Sequence, residues 1–282
     1  MKRSDRIKLT FTRNWNLPGR ERLANWLRPS DKFKKNLAGG IVWLAGEDIA
    51  IYTTADSFIE WAILSTGTYE EEVGKMIKLS LNEGSVAIDI GANIGLQSIR
   101  MAQRVGPNGS VFAFEPLNYL QEKFKRNMSL NRVENVKLFP YALSNEELDT
   151  EFKINRNTWN QGTFSISGPG TGTEAQNVNI RIGDEIQEIN NLTRLDLIKI
   201  DVEGFEFQVL NGLKKTIERH TPRIIFEYDP NYWHLNAQNI DDCFHFLRSL
   251  NYMVYQINTA CCQPINDPFE IEEGNLFCIQ EN

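Results

Sequence analysis

Val86-Ala87-Ile88-Asp89-Ile90-Gly91-Ala92-Asn93-Ile94-Gly95 opens a strand, turn and helix to which the rest of the chain can be referred. Val86 to Ile90 is apolar except for Asp89, the pattern of a strand buried on both faces. Gly91 and Gly95 follow at once, and the missing Cβ atoms let the backbone turn sharply and lie against a ligand. Leu96, Ile99, Met101 and Ala102 then recur at helical spacing. A second apolar strand, Val111 to Phe114, ends on Glu115. Gly95 and Glu115 stand about 20 residues apart, the separation at which such a unit sets a carboxylate beside a bound ribose.

This geometry suits an adenosine-type cofactor. The dinucleotide pattern G-x-G-x-x-G is missing, since the loop reads Gly91-Ala92-Asn93-Ile94-Gly95. A pyrophosphate prefers a bare nest of N–H groups at the helix start. Here the loop carries an amide at Asn93 and an acid at Asp89, which suit a ligand bearing an ammonium and a sulfonium. S-adenosylmethionine is the favoured reading; another nucleotide and a purely structural turn are its alternatives.

The chain has 282 residues, 41% hydrophobic and 24% charged, an ordinary globular composition. It contains no apolar run of about 18 residues and no secretory leader at its polar start, so a cytoplasmic location is expected. Cys243, Cys261, Cys262 and Cys278 lack C-x-x-C spacing and do not combine with His220, His234 and His245 into a zinc pattern. No protein metal site is therefore expected. The net charge of −7 is uneven: the first 35 residues carry +8 and the remainder −15. An acidic body argues against nucleic acid as a partner. The basic arm is the one part suited to peripheral contact with an anionic membrane, against the simpler reading of a solvated tail. The sequence leaves the oligomeric state open.

Residues 1–68 are expected to form an extension: a basic arm, an apolar stripe of Leu23, Trp26 and Leu27 docked on the body, a hairpin (Ile41–Leu44, Ile49–Tyr52) and a helix from Ser57. Residues 69–282 form the main domain, with helices to about Leu81, over Tyr119–Leu130, over Phe205–Arg219 and over Asp241–Leu250. Its strands are Val86–Ile90, Val111–Phe114, Val136–Tyr141, Leu195–Asp201, Arg223–Glu227, Tyr252–Ile257 and Asn275–Gln280. Residues 146–190 break the alternation and are assigned to a β insertion before strand four. Seven strands with intervening helices indicate a doubly wound α/β sheet, which binds ligands at the carboxyl ends of its strands.

Four of those ends carry acids: Asp89, Glu115, Asp201 with Glu203, and Glu227. Helix capping is the structural alternative for Asp201 and Glu203. For methyl transfer, the protein must align the acceptor and remove its proton. Asp201 is assigned as general base, with Glu203 and Glu227 orienting the acceptor, and the same acids leave room for a divalent cation. Trp159, Gln161, Tyr228 and His234 are candidate acceptor contacts, with Asn157 and Thr163 beside the first two.

Asp89-Ile90-Gly91-Ala92-Asn93-Ile94-Gly95, Phe114-Glu115-Pro116, Ala142-Leu143-Ser144-Asn145 and above all Lys199-Ile200-Asp201-Val202-Glu203-Gly204 resemble the FkbM family of methyltransferases. The resemblance runs from about Tyr69 to Glu227. It implies a class I, Rossmann-like S-adenosylmethionine-dependent fold with strand order 3-2-1-4-5-7-6 and strand seven antiparallel. It also implies O-methylation of sugar hydroxyls in glycans or natural products, or in some relatives methylation of a peptide side chain. Cofactor contacts carried over by position are Glu70, Asp89, Gly91, Asn93, Gly95, Glu115, Pro116, Ala142, Leu143 and Asp201. One departure concerns a Leu-Asp pair that the family places before strand four; here Ile182-Gly183-Asp184 stands in its place. The competing readings are a peptide N- or O-methyltransferase, a nucleotide-binding module without catalysis, and a dinucleotide oxidoreductase, the last disfavoured by the missing third glycine.

Overall fold

A computed structural model describes Leu23, Ala24, Trp26 and Arg28 and residues 39–54, 56–154, 174–258 and 262–281. The chain enters as a hairpin of β1 (Gly40–Trp43) and β2 (Ala50–Thr53), followed by α1 (Phe58–Thr66) and α2 (Glu71–Ser80). Then come β3 (Val86–Ile90), α3 (Leu96–Val105), β4 (Ser110–Phe114), α4 (Asn118–Leu130) and β5 (Val136–Phe139). β6 (Tyr141–Ser144), β7 (Leu148–Ile154) and β8 (Glu174–Ile182) form a separate three-stranded sheet in the order β6-β8-β7. The chain returns to the main sheet through α5 (Gln187–Asn190), β9 (Leu197–Ile200), α6 (Glu206–Gly212), α7 (Lys214–His220) and β10 (Arg223–Tyr228). It closes with α8 (Pro230–Leu235), α9 (Ile240–Ser249), β11 (Tyr252–Ile257), β12 (Cys262–Ile265) and β13 (Gly274–Gln280).

β3 and β9 are apolar on both faces, which demands a paired neighbour on each edge and cover above and below. Both lie inside the eight-stranded sheet β12-β11-β13-β10-β9-β3-β4-β5. The strands from β5 to β10 run parallel, whereas β13 is antiparallel to β10 and β11, and β12 to β11. The count is eight, not seven, because Cys262–Ile265 adds an edge strand. Its mostly exposed residues and Pro264 give no strand signal, since an edge strand needs neither alternation nor a full set of N–H donors.

Two other expectations are corrected. The strand expected over Val136–Tyr141 stops at Phe139, and the chain leaves the sheet at Pro140, which has no N–H for the ladder. The helix expected over Phe205–Arg219 is two short helices. They meet at Gly212, which lies so close to β6 that an added Cβ would sit 2.0 Å from the Ser144 carbonyl oxygen.

The amino-terminal hairpin is tied to the body by polar and apolar contacts. Asn131 accepts from Ala50 N at 2.8 Å and donates to Ala50 O at 2.7 Å, and Asn127 accepts from Tyr52 N at 2.8 Å. Val42, Leu44, Ile49, Ile51 and Trp61 share one hydrophobic cluster with Ala92, Ile94 and Phe124. Upstream, buried Ala24 meets the body by accepting from Trp61 Nε1 at 3.1 Å, while Trp26 of the expected docking stripe stands 79% exposed. Leu27 and most of the basic arm lie outside the described residues. Among the described residues no helix is long and apolar enough to cross a membrane.

Candidate active site

A cavity of about 500 Å³ opens where β3, β4, β9 and β10 end. That is the edge at which open α/β sheets bind ligands, and the volume lies within the ordinary range for small-molecule sites.

β3 supplies the turn. Gly91 has φ +79, and its N–H and that of Ala92 both donate to Phe114 O at 3.0 Å. A Cβ on Gly91 would sit 1.8 Å from Asp201 O, so the absent side chain is what lets the β3 turn lie against the end of β9. Asn93 takes the left-handed region at φ +50, which asparagine tolerates better than most side chains. Its N–H donates to Glu115 Oε2 at 2.9 Å, and Leu117 N donates to Glu115 Oε1 at 2.9 Å. Both oxygens of Glu115 are thereby aimed, with the residue only 4% exposed. Burial pushes its carboxyl up to about 7, even against the pull of those two bonds.

The sheet below holds a buried charge cluster. Asp89 and Lys199 are register partners on β3 and β9. Lys199 Nζ bonds Asp201 Oδ2 at 2.9 Å, and Asp89 Oδ2 accepts from Ser98 Oγ at 2.5 Å. Glu70, left-handed at φ +46 just before α2, accepts from Gln97 Nε2 at 2.8 Å. Arg100 continues the network, donating to Gln97 and the Glu70 carbonyl and forming a two-pronged pair with Glu47 on the hairpin turn. Burial alone would depress Lys199, but Asp201, Asp89 and Glu70 outweigh it and keep the ammonium charged. Burial raises Asp89 and, with help from Asp201, brings Glu70 up to about 7.

The third element is the 201–206 turn. Glu206 Oε1 accepts from Val202 N at 3.0 Å and Gly204 N at 3.1 Å, and Asn236 Nδ2 donates to Glu203 O at 3.1 Å. These bonds hold Glu203 at φ +55, an uncommon conformation for glutamate. Burial raises Glu203 to about 8, reinforced by Asp201, Glu206 and Asp229. Glu227, at the end of β10, is driven to about 10, first by the charge of Asp201 and then by burial.

Of the residues singled out in the sequence, Gly91, Asn93, Glu115, Pro116, Ala142, Leu143, Asp201, Glu203 and Glu227 line the cavity together. Glu70, Asp89 and Gly95 do not line it. A Cβ on Gly95 would strike Met128 and Phe124, at 2.6 and 2.9 Å, so that glycine brings α3 close to α4. Tyr228 and His234 are not brought to the cavity: Tyr228 packs edge-on against Trp233, with ring centroids 5.2 Å apart, and His234 is exposed on α8. Trp159, Gln161, Asn157 and Thr163 lie outside the described residues. Asp184 is engaged elsewhere, accepting from Lys215 N and Thr216 N at 2.8 and 2.9 Å as the cap of α7. Among the described residues no group of three or more His, Cys, Asp or Glu is arranged to hold a metal ion.

Several lining residues escape a sequence reading. Tyr232 lies on α8, whose start is signalled by Asp229-Pro230, a capping acid before a proline at the first helical turn. Phe152 and Ile180 come from the insertion, and their period-two partners Ile154 and Val178 are the available signal. Gln176 of β8 clips the insertion to the cavity rim: its amide donates to Pro116 O at 2.8 Å and accepts from Asn118 N at 3.0 Å.

This arrangement agrees with what the chain matches among known proteins. The Methyltransferase FkbM domain profile covers residues 89–256. A protein named Methyltransferase 1 from Beauveria bassiana is 30% identical over 148 residues, 46% of this chain and 59% of that one. The hexuronic acid methyltransferase AglP of Haloferax volcanii is 28% identical over 149 residues, 53% of this chain and 58% of that one. The chain thus spans less than two thirds of either relative's length. A solved FkbM methyltransferase from Methylobacillus flagellatus aligns at TM-score 0.45 and 17% identity, over 78% of this chain and 53% of that one. The fold itself is α/β, a mostly parallel central sheet with helices between its strands. The chain belongs to the FkbM methyltransferase family.

Proposed function

We propose that this protein transfers a methyl group from S-adenosylmethionine to a hydroxyl of a saccharide. The observation that carries the proposal is the meeting, in one cavity, of the Gly91 turn, the doubly aimed Glu115 and the Asp201–Glu203–Glu227 acids. The residues present fit such a cofactor. Glu115 suits the ribose hydroxyls, because its carboxylate is fixed at the end of β4 and keeps acceptor capacity beyond its two amide bonds. Pro116, Leu117, Ala142 and Leu143 give the adenine an apolar slot beside it. Gly91 and Asn93 line the cavity on the side left for the amino-acid end. Glu70 and Asp89 add negative charge from behind, and Gly95 sets the start of α3.

When bound, S-adenosylmethionine supplies a methyl group on a sulfonium that leaves readily. Asp201 takes the acceptor's hydroxyl proton, with Lys199 fixing its Oδ2, while Glu203 and Glu227 hold the acceptor's hydroxyls. The Haloferax relative, named for a hexuronic acid, supports a saccharide acceptor.

Calorimetry tests the cofactor assignment. S-adenosylmethionine and S-adenosylhomocysteine are expected to bind with dissociation constants at least ~100-fold below that of NAD, roughly 2.7 kcal/mol of preference. Comparable affinity for NAD would overturn the reading.

A further inference from the structure

We infer that Glu227 and Asp201 share a proton in the cofactor-free cavity, and that a cationic cofactor entering it expels that proton, so that cofactor binding itself readies the base. This rests on the cofactor reading above.

The geometry comes first. β9 and β10 are adjacent parallel strands with Ile200 opposite Phe226, so the next residue of each, Asp201 and Glu227, emerges side by side at the sheet edge. Both line the cavity. Two carboxylates so placed do not both ionise readily; one keeps a proton. Lys199 decides which one. Its ammonium is bonded to Asp201 Oδ2 at 2.9 Å, which assigns the proton to Glu227.

Further carboxyl groups crowd the pair from several directions. Glu203 faces Glu227 from the turn after β9, and Glu70 from the start of α2; Asp229 follows two residues on and lines the same cavity. Tyr69, on the same wall, is itself pushed up by burial and by Glu70, Asp201, Glu227 and Glu203. Among the described residues the nearby cations have partners of their own: Lys199 bonds Asp201, with Asp89 and Glu70 around it; Arg100 pairs with Glu47; and Arg28, on the cavity lining, lies 5.2 Å over the Phe58 ring. The charge of Asp201 and then burial push Glu227 up to about 10, in keeping with a proton held there. A sulfonium entering the cavity supplies the charge the proton had supplied. The proton leaves the Glu227 carboxyl for bulk buffer, and the Asp201–Glu227 pair is left doubly ionised, able to accept the acceptor's proton. Affinity for the cation accordingly rises with pH from neutrality toward the value of Glu227.

The test needs no methyl acceptor. Binding heats at pH 7.0 are measured in phosphate and in Tris, whose ionisation enthalpies differ, so the difference counts protons released. S-adenosylmethionine and S-adenosylhomocysteine share the same amino group and carboxylate, and only the first has the sulfonium. The sulfonium ligand is expected to release more protons than the neutral one, by about half a proton or more. Glu227→Gln is expected to remove most of that difference while S-adenosylhomocysteine affinity persists. Equal proton counts for the two ligands in the wild-type protein would overturn the inference without touching the cofactor reading. Binding of neither ligand would overturn both.

Discussion

Gly91→Ala is expected to abolish S-adenosylmethionine binding within the range of calorimetry and to lower the melting temperature by several degrees or more. Two costs coincide at this position. A non-glycine residue at φ +79 costs roughly 1–2 kcal/mol. The new Cβ would also lie 1.8 Å from Asp201 O, a backbone atom that cannot swing aside as a side chain tip would. Forcing the β3 turn and the end of β9 apart adds roughly 1–3 kcal/mol and moves the carboxylate proposed as base. Gly46→Ala separates the two costs. Gly46 has φ +75 but meets nothing within 4 Å, so that variant keeps the strain and lacks the collision. It should lose only about 1–2 kcal/mol of stability and bind the cofactor normally. Equal melting temperatures and equal binding for the two variants would show that the contact between the turn and Asp201 is unimportant.

The second large effect is expected from Asp201→Asn. The substitution keeps the shape of the side chain but removes its charge and most of its basicity. Turnover, followed by mass spectrometry with labelled cofactor on a panel of glycans, should fall by roughly 10²–10⁴-fold. Cofactor affinity should stay within about tenfold, because Glu115, the Gly91 turn and the apolar slot are untouched and tenfold corresponds to only 1.4 kcal/mol. Lys199 keeps Asp89 and Glu70 as neighbours, so the ammonium is not left without counter-charge. Full activity in this variant would remove Asp201 as the base. Loss of cofactor binding with no separate loss of turnover would make it a cofactor ligand instead.

Much of the site is legible in the sequence because its parts are local. The β3 turn announces itself by an apolar run stopping at Gly91, and β4 by an apolar run stopping at Glu115. An α/β sheet necessarily brings strand ends to one edge, so Asp201, Glu203 and Glu227 could be placed beside Glu115 without any long-range contact being known. What was not legible depends on long-range packing or on weak local signals. Periodicity cannot tell that Val136–Phe139 and Tyr141–Ser144 belong to different sheets, since both are short and mostly apolar and only Pro140 separates them. Cys262–Ile265 lies on an edge and shows no burial pattern to detect. Tyr228 and His234 are acceptor candidates in the sequence, yet the α8 helix that starts at Pro230 turns His234 to solvent and packs Trp233 against Tyr228. Lys199 is a charged residue within the buried strand β9. Its cause is electrostatic and becomes visible only when Asp89, Asp201 and Glu70, from three separate segments, are seen around it.

A crystal structure of the protein with S-adenosylhomocysteine tests the central claim most directly. The account predicts ribose hydroxyls on Glu115, adenine between Leu117 and Leu143, and the sulfur facing Asp201 inside the cavity. A nucleoside bound elsewhere, with Glu115 still held only by Asn93 N and Leu117 N, would contradict it.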